Sequence, residues 1–135
     1  MTTPSTPPTT PPVTVREYRA HAETTRTFGR VLAGAREQHL VVDGPVQNGC
    51  PGEAITPAEL FLAAVASCGA ELVQVIAREE DTPLDAVAVE ITGVVDRGRQ
   101  ARPDVTTFTR VHVDIAITGA DDARVAALVE GFRRR

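Results

Sequence analysis

Between Leu60 and Ile76 the apolar and small residues recur at steps of three and four: Leu60, Phe61, Ala64, Cys68, Leu72, Val75 and Ile76. That period is helical and marks one long helix, central and buried for most of its length. Its start is legible in Thr56, Pro57 and Glu59. A threonine caps the first free amides, a proline fits the first turn without wasting a donor, and a glutamate three residues on closes a capping box. Thr82 and Pro83 stop the helix after about Glu79. Downstream the period drops to two. Val87, Val89 and Ile91 fall on one face of a strand over 86–95, and Val111, Val113, Ile115 and Ile117 on one face of another over 107–118. The polar stretch DRGRQARPD between them reads as a turn or a longer hairpin loop. After Gly119, Asp121 and Asp122 precede Val125, Leu128, Val129 and Phe132, with Arg133 to Arg135 at the end. Acids first and bases last match a helix dipole, so a second helix closes the chain.

Ahead of the long helix the signals are shorter. Val13, Val15 and Tyr18, then Phe28 to Leu32, then Leu40 to Val42 predict three short strands. Residues 44–56, GPVQNGCPGEAIT, hold three glycines and two prolines and form a loop long enough to suspect of function. Five of the ten prolines lie in residues 1–12 among threonine and serine, a composition too poor in apolar surface to offset the entropy of ordering. The pattern therefore predicts a disordered tail over 1–12 and one α+β domain over 13–135.

Composition narrows the chemistry. The chain has 135 residues, enough for a single core. All 14 basic residues are arginine, which excludes Schiff-base catalysis and a Walker-type phosphate lysine. A net charge of −4 argues against broad nucleic-acid binding, which needs a basic stripe. With 42% hydrophobic residues but only 4% aromatic, the core must be aliphatic. The longest strongly apolar run, Leu60 to Ala66, is far short of the roughly 20 residues that span a bilayer, so no membrane helix is expected. The first twelve residues carry neither charge nor an apolar core and do not read as a signal peptide, which predicts a cytoplasmic protein. Two cysteines are too few for a secreted disulfide framework.

Those two cysteines are the candidate chemistry. Cys68 lies mid-helix on the apolar stripe, about three turns from the helix start and beyond reach of the dipole, so an arginine from elsewhere in the fold must make it reactive. Glu71 would oppose its ionisation if it shared that face. On residue type alone, Cys68 stays open between plain packing and catalysis. Cys50, in the flexible loop, can fold back toward Cys68, reach a second subunit or be a bystander. His21, His39 and His112 are spread over separate strands without metal-ligand spacing and read as surface or edge-strand residues. No GxSxG, P-loop or GxGxxG is present, so hydrolase, NTPase and dinucleotide readings lack an anchor, and no cofactor is expected.

The segments GAREQHLVVDGP, the glycine-rich loop after it, TPAELFLAAVASCGAEL and TPLDAVAVEITGVVD together resemble the OsmC/Ohr family, the osmotically inducible and organic hydroperoxide resistance proteins. The resemblance covers nearly everything after the proline-rich tail. It implies antiparallel sheets wrapped around long central helices in an intertwined homodimer, with sites at the subunit interface. It also implies a thiol-dependent peroxidase in which Cys68 attacks an organic hydroperoxide and a dithiol restores it. An arginine from the first strands would activate Cys68: Arg26 or Arg30, with Arg36 favoured by the matching text around it.

Two departures from the family pattern stand out. The family's hydroperoxide reductases carry a glutamate directly after the helix-start proline, where it positions the arginine; here that position is Ala58 and the carboxylate is Glu59. The family's closing Cys-Pro motif, whose cysteine resolves the oxidised thiol, is also missing from LVEGFRRR, which leaves Cys50 or an external dithiol for that role. These departures motivate an alternative: a non-catalytic dimer that binds a small hydrophobic ligand.

Overall fold

A computed structural model of the chain describes residues 14–135; the expected tail over 1–12 lies outside the described residues. Two antiparallel sheets and two helices follow in order: β1 (His21–Thr24), β2 (Arg30–Ala35), β3 (Gln38–Asp43), α1 (Pro57–Glu79), β4 (Ala86–Val94), β5 (Arg110–Thr118) and α2 (Asp122–Arg133). The first three strands form one sheet in the order β1-β2-β3, and β4 with β5 forms the other. The architecture is the α+β arrangement that the sequence predicts.

The long helix begins where its sequence says. Thr56 accepts a hydrogen bond from the Glu59 amide at 3.4 Å, and the Glu59 carboxylate accepts one from the Thr56 amide at 2.8 Å. Each side chain thereby satisfies a donor that the first turn leaves free. At the far end Asp81 adopts a positive φ of 49° and the chain turns away before Pro83. The second helix is capped by Asp121, which accepts from the Arg124 amide at 2.9 Å.

Helix α1 packs on β4 and α2. Val73, Ile76, Ala77 and Leu128 are buried together, with Leu72, Leu84, Val87, Ile117 and Phe132 packed around them. The expectation of a helix buried for most of its length needs correction, because within one chain α1 buries only Gly69, Val73, Ile76 and Ala77. Its other face, with Phe61, Ala64, Val65 and Cys68, is exposed. The membrane expectation changes as well. Over 23 residues with a mean hydropathy of 1.9 in its most apolar window, α1 is long and apolar enough to cross a bilayer by length and composition. Alanines spread along the helix raise that mean although no single run is long; one face of the helix packs on β4 and α2.

The first predicted strand also moves. Residues 14–20 form no regular structure, and β1 lies at His21–Thr24 instead. All four of its residues are exposed, so burial leaves no alternating pattern to read. Pairing fixes its place: Thr24 is opposite Val31 and His21 opposite Gly34, across a turn that ends in Gly29 with a φ of 77°. The N-terminal sheet meets the α1 half of the chain only marginally, and Leu32, Leu40 and Val41 on it remain at least 36% exposed.

Candidate functional site

Strands β2 and β3 are joined by a two-residue turn, Arg36 and Glu37, so pairing runs outward from it and sets Arg30 opposite Asp43 at the open end. Residues directly opposite share a face of the sheet, and this pair forms a fork. Arg30 Nε donates to Asp43 Oδ1 and Nη2 to Oδ2, both at 2.8 Å. The loop after β3 then folds back over the pair. The Glu53 and Ala54 amides donate to Asp43 Oδ2 at 3.0 Å each, and the Glu53 carboxylate accepts from Arg30 Nη2 at 2.8 Å.

Asp43 is fully buried, yet every acceptor site it uses meets a donor. The Arg30 hydrogen bonds hold its carboxyl well below the usual carboxylate range against the opposing pull of burial, and the Ala54 and Glu53 amides add to them. Asp43, then Glu53, raises the Arg30 guanidinium above its ordinary value. One edge of the guanidinium is left over. Among the described residues Arg30 Nη1 has no hydrogen-bond partner, so two N–H donors of a fixed cation point at no protein group.

Cys50 sits beside this network. Its Sγ lies 3.8 Å from the Asn48 carbonyl, and its side chain fills the space where a Cβ on Gly29 or Gly44 would stand. Gly44 donates to the Gly29 carbonyl at 2.7 Å, drawing the two glycines together under the half-buried thiol. Gly29 precedes Arg30 and Gly44 follows Asp43 in the chain, so Cys50 is fastened to both ends of the fork.

Cys68 lies elsewhere. It is exposed on the free face of α1, twelve residues beyond the Thr56 cap and therefore about 18 Å along the helix. Phe61 on the same face stacks on Phe108 with ring centroids 6.0 Å apart; Gly93 makes room for that ring, because a Cβ there would meet Phe108 at 2.5 Å. Cys68 has no hydrogen-bond partner among the described residues, and no arginine of its own chain pairs with it. Glu59 is occupied at the helix start, where the Thr56 amide and hydroxyl lower its carboxyl below the ordinary value. Arg26 is exposed and forms no ion pair among the described residues. Arg36 is also exposed, in the β2–β3 turn with a φ of 55°, at the opposite end of β2 from Arg30 and about 20 Å from it along the strand.

Asp43 and Glu53 are the residues that sequence reasoning missed. Asp43 had a signal: a two-residue turn at Arg36-Glu37 sets Arg30 opposite Asp43 by counting alone. Glu53 had none, since its place depends on how the loop folds back. Among the described residues no three His, Cys, Asp or Glu side chains converge as a metal site. A groove of about 760 Å³ runs between α1 and β4, lined by Ile55, Leu62, Ala66, Val89 and Ile91, with Glu59 at its edge.

The OsmC-like protein family matches residues 50–135, well over half of the chain, and the chain belongs to that family. Its fold is similar to that of an OsmC-like protein from Mycoplasma pneumoniae, with a TM-score of 0.74 at 12% identity over 89% of this chain and 82% of the other. An organic hydroperoxide resistance protein from Elizabethkingia anophelis gives 0.72 at 14% identity over 90% and 84%. The organic hydroperoxide resistance protein OsmC from Legionella pneumophila gives 0.65 at 23% identity over 90% and 85%. At these identities the likeness is one of fold. No curated protein sequence matches the chain.

Proposed function

We propose that this chain is a thiol-dependent peroxidase that reduces organic hydroperoxides in oxidative-stress defence, acting in the cytoplasm as a homodimer. The observation that carries the reading is the free Nη1 edge of Arg30, a rigidly held cation with two unspent donors. Membership of the OsmC-like family supports it, as do the names of the Elizabethkingia and Legionella proteins. Cys68 supplies the nucleophile and Arg30, rather than Arg26 or Arg36, the activating cation.

Arg30 and Cys68 lie on parts of one chain that barely touch; Cys68 is exposed and the Arg30 side chain is 29% exposed. In the dimer, Arg30 of one subunit faces Cys68 of the other. The Nη1 donors hold the thiolate and one peroxide oxygen, and the thiolate attacks the other oxygen. The S–O bond forms as the O–O bond breaks, the departing alkoxide takes a proton, and the products are an alcohol and a sulfenic acid on Cys68. The Cys50 thiol then attacks the Cys68 sulfur, forming a disulfide and releasing water, and an external dithiol reduces the disulfide. Cys50 is tied to the Arg30 fork, so whichever subunit's Cys68 the arginine serves, Cys50 accompanies it. Phe61 and Val65, exposed on the face that carries Cys68, favour an alkyl substrate, each buried methylene contributing about 0.8 kcal/mol, whereas Leu72 packs on the core.

The groove between α1 and β4 favours a second reading, a dimer that binds a small hydrophobic ligand without turnover. Consumption of cumene hydroperoxide in the presence of a dithiol decides between them. The peroxidase reading expects turnover in the wild type and none in Cys68→Ser. A wild type without turnover that still binds an apolar fluorophore would support the second.

A further inference from the structure

Ala58 stands where the resemblance to the family's hydroperoxide reductases leads one to expect a glutamate, and Glu59 is held by the Thr56 cap. The brace of Arg30 lies elsewhere in this chain. We propose that Asp43 and Glu53 are the positioning carboxylates of the peroxidase site, fixing the Arg30 guanidinium so that Nη1 alone is offered to the thiolate and the peroxide. The assignment rests on the peroxidase reading above and adds two residues to it.

The two carboxylates divide the work. Asp43 is 0% exposed and takes both Nε and Nη2, which defines the guanidinium plane, while the amides of Glu53 and Ala54 keep its own carboxylate from rotating. Glu53 is 76% exposed and takes the remaining Nη2 proton. Of the five N–H donors, the two carboxylates consume three and leave the Nη1 pair. Charge alone would make this arrangement counterproductive, since two carboxylates around one guanidinium leave a net negative site that opposes a thiolate. Geometry is therefore their contribution: they hold the donors in place before the reaction starts.

That distinction sets the test. Glu53→Ala removes the outer hydrogen bond, whereas Glu53→Gln keeps an acceptor for Nη2 and removes only the charge. The expected result is a fall in kcat/KM for cumene hydroperoxide of about tenfold in Glu53→Ala, with Glu53→Gln within about twofold of wild type. Asp43→Asn turns an amide –NH₂ toward a guanidinium nitrogen; it is expected to lose more than Glu53→Ala and to slow alkylation of Cys68 in parallel. If Asp43→Asn does not fold, the two Glu53 variants decide, because their site is exposed. Wild-type rates in Glu53→Ala, or equal losses in Glu53→Ala and Glu53→Gln, would overturn the assignment while leaving the peroxidase reading in place. A wild type that consumes no hydroperoxide would overturn both.

Discussion

Arg30 and Asp43 face each other across the open end of the β2–β3 hairpin and are joined twice at 2.8 Å, with the carboxylate fully buried. An unpaired charge at that position would be costly to bury, so the two residues are each other's condition for being there.

The first consequence concerns acid stability. The carboxyl of Asp43 titrates well below its unfolded value of about 3.9, so its contribution is complete above that pH and is lost as pH falls through it toward the folded value. Comparing urea unfolding of the wild type with Asp43→Asn should show a stability gap that is constant from about pH 7 to pH 5 and narrows below about pH 4. A gap that widens in acid would mean that Asp43 is not ionised in the folded protein.

The capping box allows a local test. Thr56→Ala should cost about 1 kcal/mol in thermal or urea unfolding, because the Glu59 amide loses its hydroxyl acceptor, while the bond from the main-chain amide of residue 56 to the Glu59 carboxylate is retained. The same substitution should leave the Arg30 network unchanged.

The exposed face of α1 predicts a dimer. Phe61 is 58% and Val65 37% exposed in a chain whose buried apolar core holds few side chains, and a helix with so little cover needs a second copy. Light scattering should give twice 14.4 kDa for the wild type, and Val65→Glu should shift it toward the monomer with loss of hydroperoxide turnover. A monodisperse 14.4 kDa wild type at micromolar concentration would rule the dimer out.

Cys50 yields a prediction that separates its roles. One equivalent of cumene hydroperoxide should convert the wild type to a covalent dimer on a non-reducing gel, and neither Cys50→Ser nor Cys68→Ser should form one. A mixed dimer of the two variants should carry a single cross-link, joining Cys68 of one chain to Cys50 of the other. A disulfide within one chain would place both thiols of a site on the same subunit. Persistent sulfenic acid in the wild type would make the external dithiol the direct resolving agent.

How much of this was legible in the sequence follows from the range over which each feature is decided. The capping box at Thr56 and Glu59 and the stop at Thr82-Pro83 are local, and α1 ends within a residue of where they place it. The period-two pattern found β4 and β5 because one face of that sheet meets α1. β1 escaped because no burial pattern marks His21–Thr24; only its register with β2 defines it. In the site, Cys68 could be singled out from the text around it, whereas its exposure depends on which face of α1 meets β4. Among the three candidate arginines the matching text favoured Arg36, and nothing local in the sequence pointed to Arg30. Hairpin register separates them: Arg36 falls in the turn, Arg26 precedes β2 without an ion pair among the described residues, and Arg30 meets Asp43. Glu53 joins them through a loop whose path no local motif encodes.

The central claim is that Arg30 activates Cys68, and its most direct measurement is the rate of iodoacetamide alkylation of Cys68 at pH 7, made in a Cys50→Ser background so that one thiol reports. Wild-type Arg30 should give alkylation well above that of a free thiol. Arg30→Gln should lower the rate at least about tenfold with the dimer intact, and Arg36→Gln and Arg26→Gln should leave it unchanged. A rate equal to that of a free thiol, or one indifferent to Arg30→Gln, would contradict the account.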